Sequence, residues 1–360
     1  MAYETSIIMS DDGRFANSTE LSELLEDFQG GEVIRLRVGT NIRHRRLDKY
    51  VNGRLVRFSR NLIQKMVKNG SIIVNDNEVK PSHQINPGDI VRITLPEPQL
   101  KEITPEDIPL DIIYEDDDMI VVNKQADLII HPARGFKTGT LVNALVHYAD
   151  SLSKGTYHYR PGIVHRLDRN TTGVVVVAKN DIAQYKLAEQ FQERTTEKTY
   201  LAIVHGNPEL DADRIRNRLG IHPSVREKIA VRPDIGKEAI TIYHVVERFR
   251  GFALLEIKIL TGRTHQIRVH MSHIKHPIVG DSAYGGKPLY NWQICDEEAA
   301  AQEPVMPRCA LHAWRLCINH PKTGKRMQLE APIPEDMLKT LELLREHRPL
   351  MKTAAVKKKF

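Results

Sequence analysis

The sequence has little cysteine and no long hydrophobic run. Its three cysteines, in 360 residues, are too few for a disulfide framework and form no Cys-x-x-Cys pair. The longest purely aliphatic stretch, residues 174–178, is far shorter than the roughly 20 residues that span a bilayer. The first ten residues lack the basic start and apolar stretch of a signal peptide. These absences argue against a secreted or membrane protein, and we expect a reducing, cytoplasmic setting.

The overall composition is that of a folded protein. Hydrophobic residues make up 41% of the chain and charged residues 27%, values typical of globular domains and atypical of disordered ones. The length is sufficient for one large domain plus a smaller one, or for two domains of medium size.

The net charge of +6 is concentrated in two segments. Residues 1–34 hold one basic and eight acidic residues, a net charge of −7. Residues 35–98 hold thirteen basic and five acidic residues, a net charge of +8, and the last sixteen residues carry +5. Between them, residues 99–344 are neutral overall. A basic stretch is often only a solvated face, but one that coincides with a compact pattern of elements favours a polyanionic partner.

Two helices are predicted in the basic segment. The first covers residues 43–51, and the second covers residues 60–69 with Ser59 as its N-cap and Gly70 as the residue that ends it. In the second helix the apolar residues share one face. That buried stripe consists of Leu62, Ile63, Met66 and Val67.

Two short strands follow these helices, at residues 71–75 and 90–95, with turn residues between them. The predicted second helix then leaves Arg60, Lys65 and Lys68 facing solvent. We therefore expect a small module with a cationic helix face that binds phosphates without identifying bases.

This segment resembles the alpha-L, or S4-like, RNA-binding module that occurs in a small-subunit ribosomal protein and at the front of several RNA-modifying enzymes. The resemblance implies RNA binding by Arg60, Lys65 and Lys68. It rests on Arg46-Leu47-Asp48-Lys49-Tyr50, residues 59–70, Val74-Asn75 and Pro87-Gly88-Asp89.

A proline-rich stretch separates this module from the rest of the chain, because prolines discourage both helix and central strand. Beyond it, apolar runs such as 112–114 and 120–123 indicate a mainly β region. The predicted organisation is an acidic, flexible leader (1–34), the RNA-binding module (35–98), a linker (99–111), a catalytic domain (112–345) and a basic tail (346–360).

The most informative stretch of the chain ends in four consecutive valines, 174–177, which predict a strand buried on both faces. The polar loop before it places His165, Arg166 and Asp168 at the end of that strand. Positive charge on both sides of Asp168 favours its ionised form, a possible nucleophile or base. The spacing alone also fits a structural role for Asp168, in which its carboxylate only caps the loop or pairs with Arg166 or Arg169.

The stretch resembles the signature of the RluA-type pseudouridine synthases, closest to the subgroup that modifies large-subunit ribosomal RNA. Further pieces occur in the order expected for that family, from about residue 44 to 337. They are His165-Arg166-Leu167-Asp168 with Thr171-Thr172-Gly173, Val122-Asn123-Lys124, His131-Pro132, Lys198-Thr199-Tyr200, residues 261–271, His276-Pro277-Ile278-Val279-Gly280-Asp281, Tyr284-Gly285-Gly286, Leu311-His312-Ala313 and His320-Pro321. One departure is Gln125-Ala126-Asp127, where the family usually has a proline and a small residue.

The resemblance implies an α+β catalytic domain with a mixed, largely antiparallel sheet, and it implies roles for single residues. Asp168 would be the essential carboxylate, either attacking C1′ or removing a ribose proton. Arg268 would hold that carboxylate ionised. Tyr200 would stack under the uracil and take the C5 proton. Arg166 would enter the space left by the flipped nucleotide.

Two more residues, His165 and Arg263, are expected to contact the substrate. The hydroxyl of Thr264 is a candidate cap for a short helix at residues 265–273, where it would help to orient Arg268.

No metal and no cofactor are expected. Four histidines at helical spacing suggest metal ligands, but no His-Glu-x-x-His pattern or cysteine partner accompanies them. These residues are His265, His270, His273 and His276.

The expected partner is large-subunit ribosomal RNA, free or in pre-ribosomal particles, and the protein is expected to be monomeric. Transfer RNA as substrate, and a non-catalytic role in ribosome assembly, are the alternatives.

Overall fold

The computed structural model describes most of the chain, in two compact units that divide after residue 102. The N-terminal unit and the C-terminal unit are each described by themselves below. The described residues are 7–10, 33–40, 42, 44–55, 58, 60–95, 103–131, 138–149, 161–225, 227–295 and 303–350.

The N-terminal unit is a four-stranded sheet with two helices. The strand order is β1-β2-β4-β3, in which β1 is parallel to β2 and the other pairs are antiparallel. Its elements are β1 (Ile7–Ser10), β2 (Val33–Arg37), α1 (Leu47–Asn52), α2 (Arg60–Lys68), β3 (Ile72–Val74) and β4 (Ile90–Thr94).

Helix α2 confirms the predicted second helix. Ile63, Met66 and Val67 are buried, whereas Lys65 and Lys68 are exposed. Gly70 follows with φ +77°, a backbone conformation that favours glycine. The proposed N-cap, Ser59, lies outside the described residues.

One prediction for this unit needs correction. The first helix begins at Leu47, not at residue 43, because Arg46 is extended (φ −72°, ψ 130°) and forms a bridge with Gln84. Within the leader, residues 7–10 form β1 and pair in parallel with β2. Their sequence, Ile-Ile-Met-Ser, contains the β-branched residues that favour a strand. The rest of the leader (1–6 and 11–32) and the tail from 351 lie outside the described residues.

The C-terminal unit is built on a ten-stranded sheet in the order β10-β9-β11-β12-β8-β13-β7-β6-β5, with β14 paired to β13. Its strands are β5 (Ile112–Glu115), β6 (Met119–Lys124), β7 (Thr172–Ala178), β8 (Glu197–His205), β9 (Ala212–Ile221), β10 (Ile229–Val231), β11 (Lys237–Phe249), β12 (Phe252–Ile259), β13 (Leu311–Asn319) and β14 (Arg326–Glu330).

Five helices accompany this sheet in the described part of the unit. The described part of the chain contains no helix long and apolar enough to cross a membrane. The helices are α3 (Leu141–Tyr148), α4 (Asp181–Glu193), α5 (Gln266–His273), α6 (Asn291–Cys295) and α7 (Glu335–His347), with a single 3₁₀ turn at Ser282–Tyr284.

The sheet confirms the predicted mixed, largely antiparallel architecture. Among its described strand pairs, β7 with β13 is parallel and the others are antiparallel. Every residue of β7 is buried, as its run of valines predicts. A large apolar core extends from β6 and β7 through β8 and β12 to α7. The sheet is therefore a rigid support for the loops at its strand ends.

Candidate active site

The loop that leads into β7 carries Asp168, and two buried cations hold its backbone. Lys124 Nζ donates to the carbonyl oxygen of Arg169 at 2.9 Å. Arg308 Nη1 donates to the carbonyl oxygen of Asn170 at 3.2 Å. The two residues that follow Asp168 are thereby fixed to β6 and to the segment before β13.

Lys124 is fully buried at the end of β6. Besides Arg169, its ammonium group donates to the carbonyl oxygens of Gln125 at 2.8 Å and Leu128 at 2.9 Å. An ammonium group has three N–H donors, so each donor has an acceptor. Burial lowers the pKa of Lys124 to about 7, and the positive charge of Arg308 acts in the same direction.

A close parallel contact between β7 and β13 fixes the start of β7. Gly173 lies opposite Ala313, and a Cβ on Gly173 would lie 2.2 Å from the carbonyl oxygen of Ala313. One position earlier, Thr172 Oγ1 lies 2.8 Å from Nδ1 of the buried His312. The Thr172-Gly173 and His312-Ala313 motifs thus join the two strands directly after the Asp168 loop.

Helix α5 carries Arg268 and is anchored to β11 by polar contacts. Gln266 is buried, and its Nε2 donates to the carbonyl oxygen of Ile240 at 2.9 Å and to Thr241 Oγ1 at 3.0 Å. One turn later, His270 Nδ1 lies 2.8 Å from the same hydroxyl of Thr241. These contacts set the rotation of α5 about its axis and so the direction in which Arg268 points.

The prediction that Thr264 caps this helix is wrong. The residue that precedes α5 is His265, which has left-handed backbone angles (φ 54°, ψ 21°), and no side chain caps the helix there. Gln266 Oε1 accepts from the amide of Arg263 at 3.1 Å instead. This contact ties the segment before the helix to Gln266, but it does not cap a first-turn amide of α5.

Arg268 connects two carboxylates. Its Nη1 donates to Asp168 Oδ2 at 3.1 Å, while Nε and Nη2 donate to the two oxygens of Asp281 at 2.7 Å each. The side chain of Asp281 is only 1% exposed and that of Asp168 is 21% exposed. Burial acts to lower the pKa of Arg268, but the hydrogen bonds and charge of Asp281 outweigh it and raise the pKa. Arg268 therefore stays charged and contacts the partly exposed carboxylate of Asp168.

Tyr200 lies on β8, opposite Ile257 of β12, and is buried. Burial strongly raises the pKa of its phenol, and the negative charge of Asp168 raises it further. The phenol is therefore neutral at physiological pH.

His165 has contacts that hold β7 and α4. Its Nε2 accepts from the amide of Val176 at 3.0 Å, and its ring stacks on Phe191 with centroids 4.5 Å apart. Burial lowers the pKa of His165 to about 3, which keeps the imidazole neutral and able to accept.

Arg166 and Arg263 differ in their surroundings. Arg166 is exposed, two residues before Asp168. Arg263 is half-buried, and its Nε donates to the carbonyl oxygen of Glu238 at 3.0 Å.

In the N-terminal unit, a buried carboxylate on α1 organises the cationic face. Asp48 Oδ2 accepts from Arg60 Nη2 and from Gln64 Nε2, both at 2.8 Å, and from Arg46 Nη2 at 3.0 Å. Arg60 is thus held by a protein carboxylate, although its side chain is still 44% exposed.

The described residues contain a single group of potential metal ligands that lie close together: Asp116, Asp118 and His320. Here His320 Nε2 lies 2.7 Å from Asp116 Oδ2, and His320 Nδ1 accepts from the amides of Lys322 and Thr323. Because Nδ1 is an acceptor, the ring proton is on Nε2 and is donated to Asp116. Both ring nitrogens are therefore already used within the protein.

Comparison with known proteins supports one family. The model described as RNA pseudouridylate synthase matches residues 118–273, and the S4 domain model matches residues 45–91. A protein of Bacillus subtilis named as an uncharacterized RNA pseudouridine synthase is 42% identical over 304 residues, which cover 84% of this chain and 95% of the relative. The chain belongs to the RNA pseudouridylate synthase family. It is a pseudouridine synthase of RluA type with an N-terminal S4 domain that binds RNA.

Other relatives agree. The ribosomal large subunit pseudouridine synthase D of Escherichia coli K12 is 39% identical over 309 residues, covering 86% of this chain and 93% of the relative. A solved structure of human RNA pseudouridylate synthase domain containing 4 matches with a TM-score of 0.50 and 25% identity. That match covers 65% of this chain and 93% of the human chain.

As a pseudouridine synthase the protein is an isomerase. The reaction breaks the bond from N1 of uracil to C1′ of ribose and forms a bond from C5 to C1′. One proton leaves C5 and one is gained at N1, so atoms and electrons balance within the nucleotide.

Three residues that shape the site have no assigned role in the sequence-based interpretation. Asp281 and Lys124 lie within quoted motifs, and each is a charged residue that follows an apolar run, 278–279 and 119–122 respectively, after one intervening residue. A charge in such a position is a signal of a buried, paired group. Arg308 gives no comparable signal.

Proposed function

We propose that this pseudouridine synthase modifies uridines of large-subunit ribosomal RNA, with Asp168 as the essential carboxylate. The contact of Arg268 with Asp168, whose charge also acts on the buried Tyr200, is the observation that carries the assignment of the site. The name of the Escherichia coli relative supports the choice of RNA.

Asp168 is suited to either of the two reactions expected of it. Arg268 contacts Oδ2, and no hydrogen bond to Oδ1 occurs among the described residues, so Oδ1 is the oxygen that we propose to act on the nucleotide. An ionised Oδ1 can attack C1′, or it can remove the proton from C2′ and give a glycal. In both cases Arg268 stabilises the charge of the carboxylate and does not itself take part in proton transfer.

Tyr200 is proposed to form the floor on which the uracil stacks. Its raised pKa favours a neutral phenol, and a neutral phenol suits stacking better than removal of the C5 proton. That second role, expected from the family resemblance, would need a separate acceptor to draw the phenolic proton away.

Access to the uracil requires that the nucleotide leaves its stack, at a cost of a few kcal/mol. Exposed Arg166 is proposed to enter the vacated space, and Arg263 is proposed to contact the substrate backbone. For His165 the contacts with Val176 and Phe191 support a role in shaping the loop, with substrate contact only through its neighbours.

The S4 domain is proposed to supply affinity for phosphates. Lys65 and Lys68 are exposed on α2 and are suited to this. Arg60 is also proposed to contact RNA, but its guanidinium must do so while it is held by Asp48. A shallow groove of about 650 Å³ beside α2, lined by Arg46, Lys68 and other residues, is where we place the RNA backbone.

The test is to map pseudouridine by reverse transcription after carbodiimide treatment. Ribosomal and transfer RNA from cells that lack the gene are incubated with wild type or with Asp168→Asn. Stops in large-subunit ribosomal RNA with wild type alone are the expected result. Stops confined to transfer RNA would contradict the proposed substrate, and stops with Asp168→Asn would contradict the role of Asp168.

Ribosomal particles are tested in the same way, because the enzyme can require a folded assembly as substrate. If wild type modifies neither free RNA nor particles, the proposal of a ribosomal RNA substrate fails.

A further inference from the structure

His265 is a half-buried residue at the candidate active site whose backbone conformation is unusual. Its φ of 54° and ψ of 21° lie in the left-handed region, which residues other than glycine rarely occupy. Such conformations cost about 1–3 kcal/mol and are found where the surrounding structure imposes them, often at functional sites. The conformation directs the imidazole toward the Asp168 loop.

The imidazole lies between two polar groups. Its Nε2 is 3.9 Å from Asp168 Oδ2, the same oxygen that Arg268 contacts, and its Nδ1 is 2.7 Å from the hydroxyl oxygen of Tyr284. The rings of His265 and Tyr284 meet edge to face with centroids 5.6 Å apart. A series of polar contacts therefore leads from Tyr284 through His265 to the carboxylate of Asp168.

The hydrogen bonds around Tyr284 fit one arrangement of the protons. The amide of Ile229, in β10, donates to the Tyr284 hydroxyl oxygen at 2.9 Å. With its oxygen accepting there, the hydroxyl still has its own proton, and Nδ1 of His265, 2.7 Å away, is an acceptor for it. In this arrangement a neutral His265 has its ring proton on Nε2, the nitrogen that lies 3.9 Å from Asp168 Oδ2.

The charge state fits this arrangement. Burial lowers the pKa of His265. The negative charge of Asp168 acts to raise this pKa, and the positive charge of Arg268 acts to lower it. The charged or titratable groups around the imidazole are Asp168, Arg268, Asp281, Arg166 and Tyr284. A neutral imidazole places a polar N–H near Asp168 without a second positive charge beside Arg268.

We infer that His265, locked by Tyr284 and the amide of Ile229, is a positioning residue for Asp168 in the isomerisation. From 3.9 Å, its Nε2–H stabilises the charge of Oδ2 on the side of Arg268. Oδ1 is thereby directed at the ribose. The inference rests on the chain being an active pseudouridine synthase, and it does not depend on which RNA is modified.

The first experiment measures single-turnover rates and RNA affinity with whichever RNA wild type modifies, labelled with tritium at C5 of uridine. We expect His265→Asn to lower the rate at saturating enzyme by about 10- to 100-fold, the effect of a misplacement of about 1 Å. Asparagine tolerates the left-handed conformation but is too short to reach Asp168. RNA affinity should change little.

The matched control is His273→Asn, the same substitution at an exposed histidine of α5, which should leave the rate unchanged. A rate for His265→Asn equal to that of wild type would overturn the inference. Wild type that modifies no RNA would instead count against the proposed function.

A second variant separates positioning from a structural role. Tyr284→Phe keeps the ring beside His265 and below the guanidinium of Arg268, whose Cζ lies 4.9 Å from the ring centroid. The substitution removes the hydroxyl that donates to Nδ1. Nδ1 is then free to bind a proton, and the pKa of His265 should rise. The acidic limb of the rate profile should then move to higher pH.

Tyr185→Phe, at an exposed tyrosine of α4, is the control for loss of a hydroxyl. A Tyr284→Phe profile that coincides with wild type would show that Tyr284 does not set the state of His265. A profile lowered by the same factor at every pH would mean a structural role only, and would also overturn the inference.

Discussion

Arg268 has two carboxylate partners that differ in exposure, and the difference assigns them different tasks. Asp281 is buried and takes two of the guanidinium donors, whereas the partly exposed Asp168 takes one. A bidentate contact fixes the plane of a guanidinium as well as its position. Asp281 thus sets the direction from which Nη1 approaches Asp168.

We expect Asp281→Asn to lower the single-turnover rate by about 100-fold, because a guanidinium held by one acceptor can shift by about 1 Å. RNA affinity should stay close to that of wild type, since Asp281 is buried. The control is Asp234→Asn, which alters an exposed aspartate that also contacts an arginine through both oxygens. Rates for Asp281→Asn within twofold of this control would contradict the argument.

Lys124, which contacts the Asp168 loop, makes the stability of the protein depend on pH. Its pKa in the folded protein is about 7, whereas an unfolded lysine has a pKa of about 10.4. Between these values the unfolded chain binds the additional proton, so the contribution of Lys124 to the free energy of unfolding rises with pH, by up to about 1.4 kcal/mol per unit. Below pH 7 both states are protonated and the contribution is constant.

The expected result is that the difference in unfolding free energy between wild type and Lys124→Met grows in favour of wild type from pH 7.5 to 9.5. Both tryptophans, Trp292 and Trp314, lie in the C-terminal unit, so tryptophan fluorescence during urea unfolding follows that unit alone. A difference that stays constant or shrinks with rising pH would contradict the assigned pKa.

At the scale of elements, the close approach of β7 to β13 fixes the strand that directly follows the Asp168 loop. Gly173 has φ +112° and no room for a Cβ beside Ala313. Gly251, in the turn between β11 and β12, has φ +86° and nothing within 4 Å of the position of a Cβ. The two glycines therefore share the strained backbone and differ in the close contact.

We expect Gly173→Ala to destabilise the C-terminal unit well beyond Gly251→Ala, which should cost about 1–2 kcal/mol for its backbone conformation alone. The excess arises because β7 and β13 must separate to admit the methyl group. Urea unfolding followed by tryptophan fluorescence measures both variants. Equal losses would show that backbone conformation, and not the contact with β13, accounts for the glycine.

Element patterns in the sequence predict much of this fold. The valines of β7 indicate a buried strand, and the spacing of Ile63, Met66 and Val67 indicates the buried face of α2; both are confirmed. Helix starts are less predictable, because they depend on remote partners. Arg46 is extended through its bridge to Gln84, and α5 starts where Gln266 meets β11.

Remote partners also limit what the sequence predicts about the site. The pairing of Asp168 with Arg268, which the family resemblance implies, joins residues 100 positions apart. The resemblance gives Asp281, Lys124 and His265 no role, because each acts through backbone or side-chain groups supplied by other elements. Local spacing carries no information about such contacts.

At the scale of the whole molecule, the positive charge and the chemistry are on separate units. Residues 35–98 carry a net charge of +8, whereas residues 99–344 are neutral overall. Each lysine that contacts a phosphate releases counterions, so the logarithm of affinity falls with the logarithm of salt concentration, by a slope of about 0.7–0.9 for each contact. The S4 domain should therefore contribute most of the salt dependence of RNA binding.

We expect the double variant Lys65→Ala, Lys68→Ala to reduce this slope by about 1.4–1.8, while the single-turnover rate at saturating enzyme stays near that of wild type. Filter binding of a large-subunit ribosomal RNA fragment over a salt series gives the slope. The control replaces two exposed lysines of the C-terminal unit, Lys186 and Lys339, by alanine. If the control lowers the slope as much as the S4 variant does, the phosphates are bound across both units and the separation of affinity from chemistry does not hold.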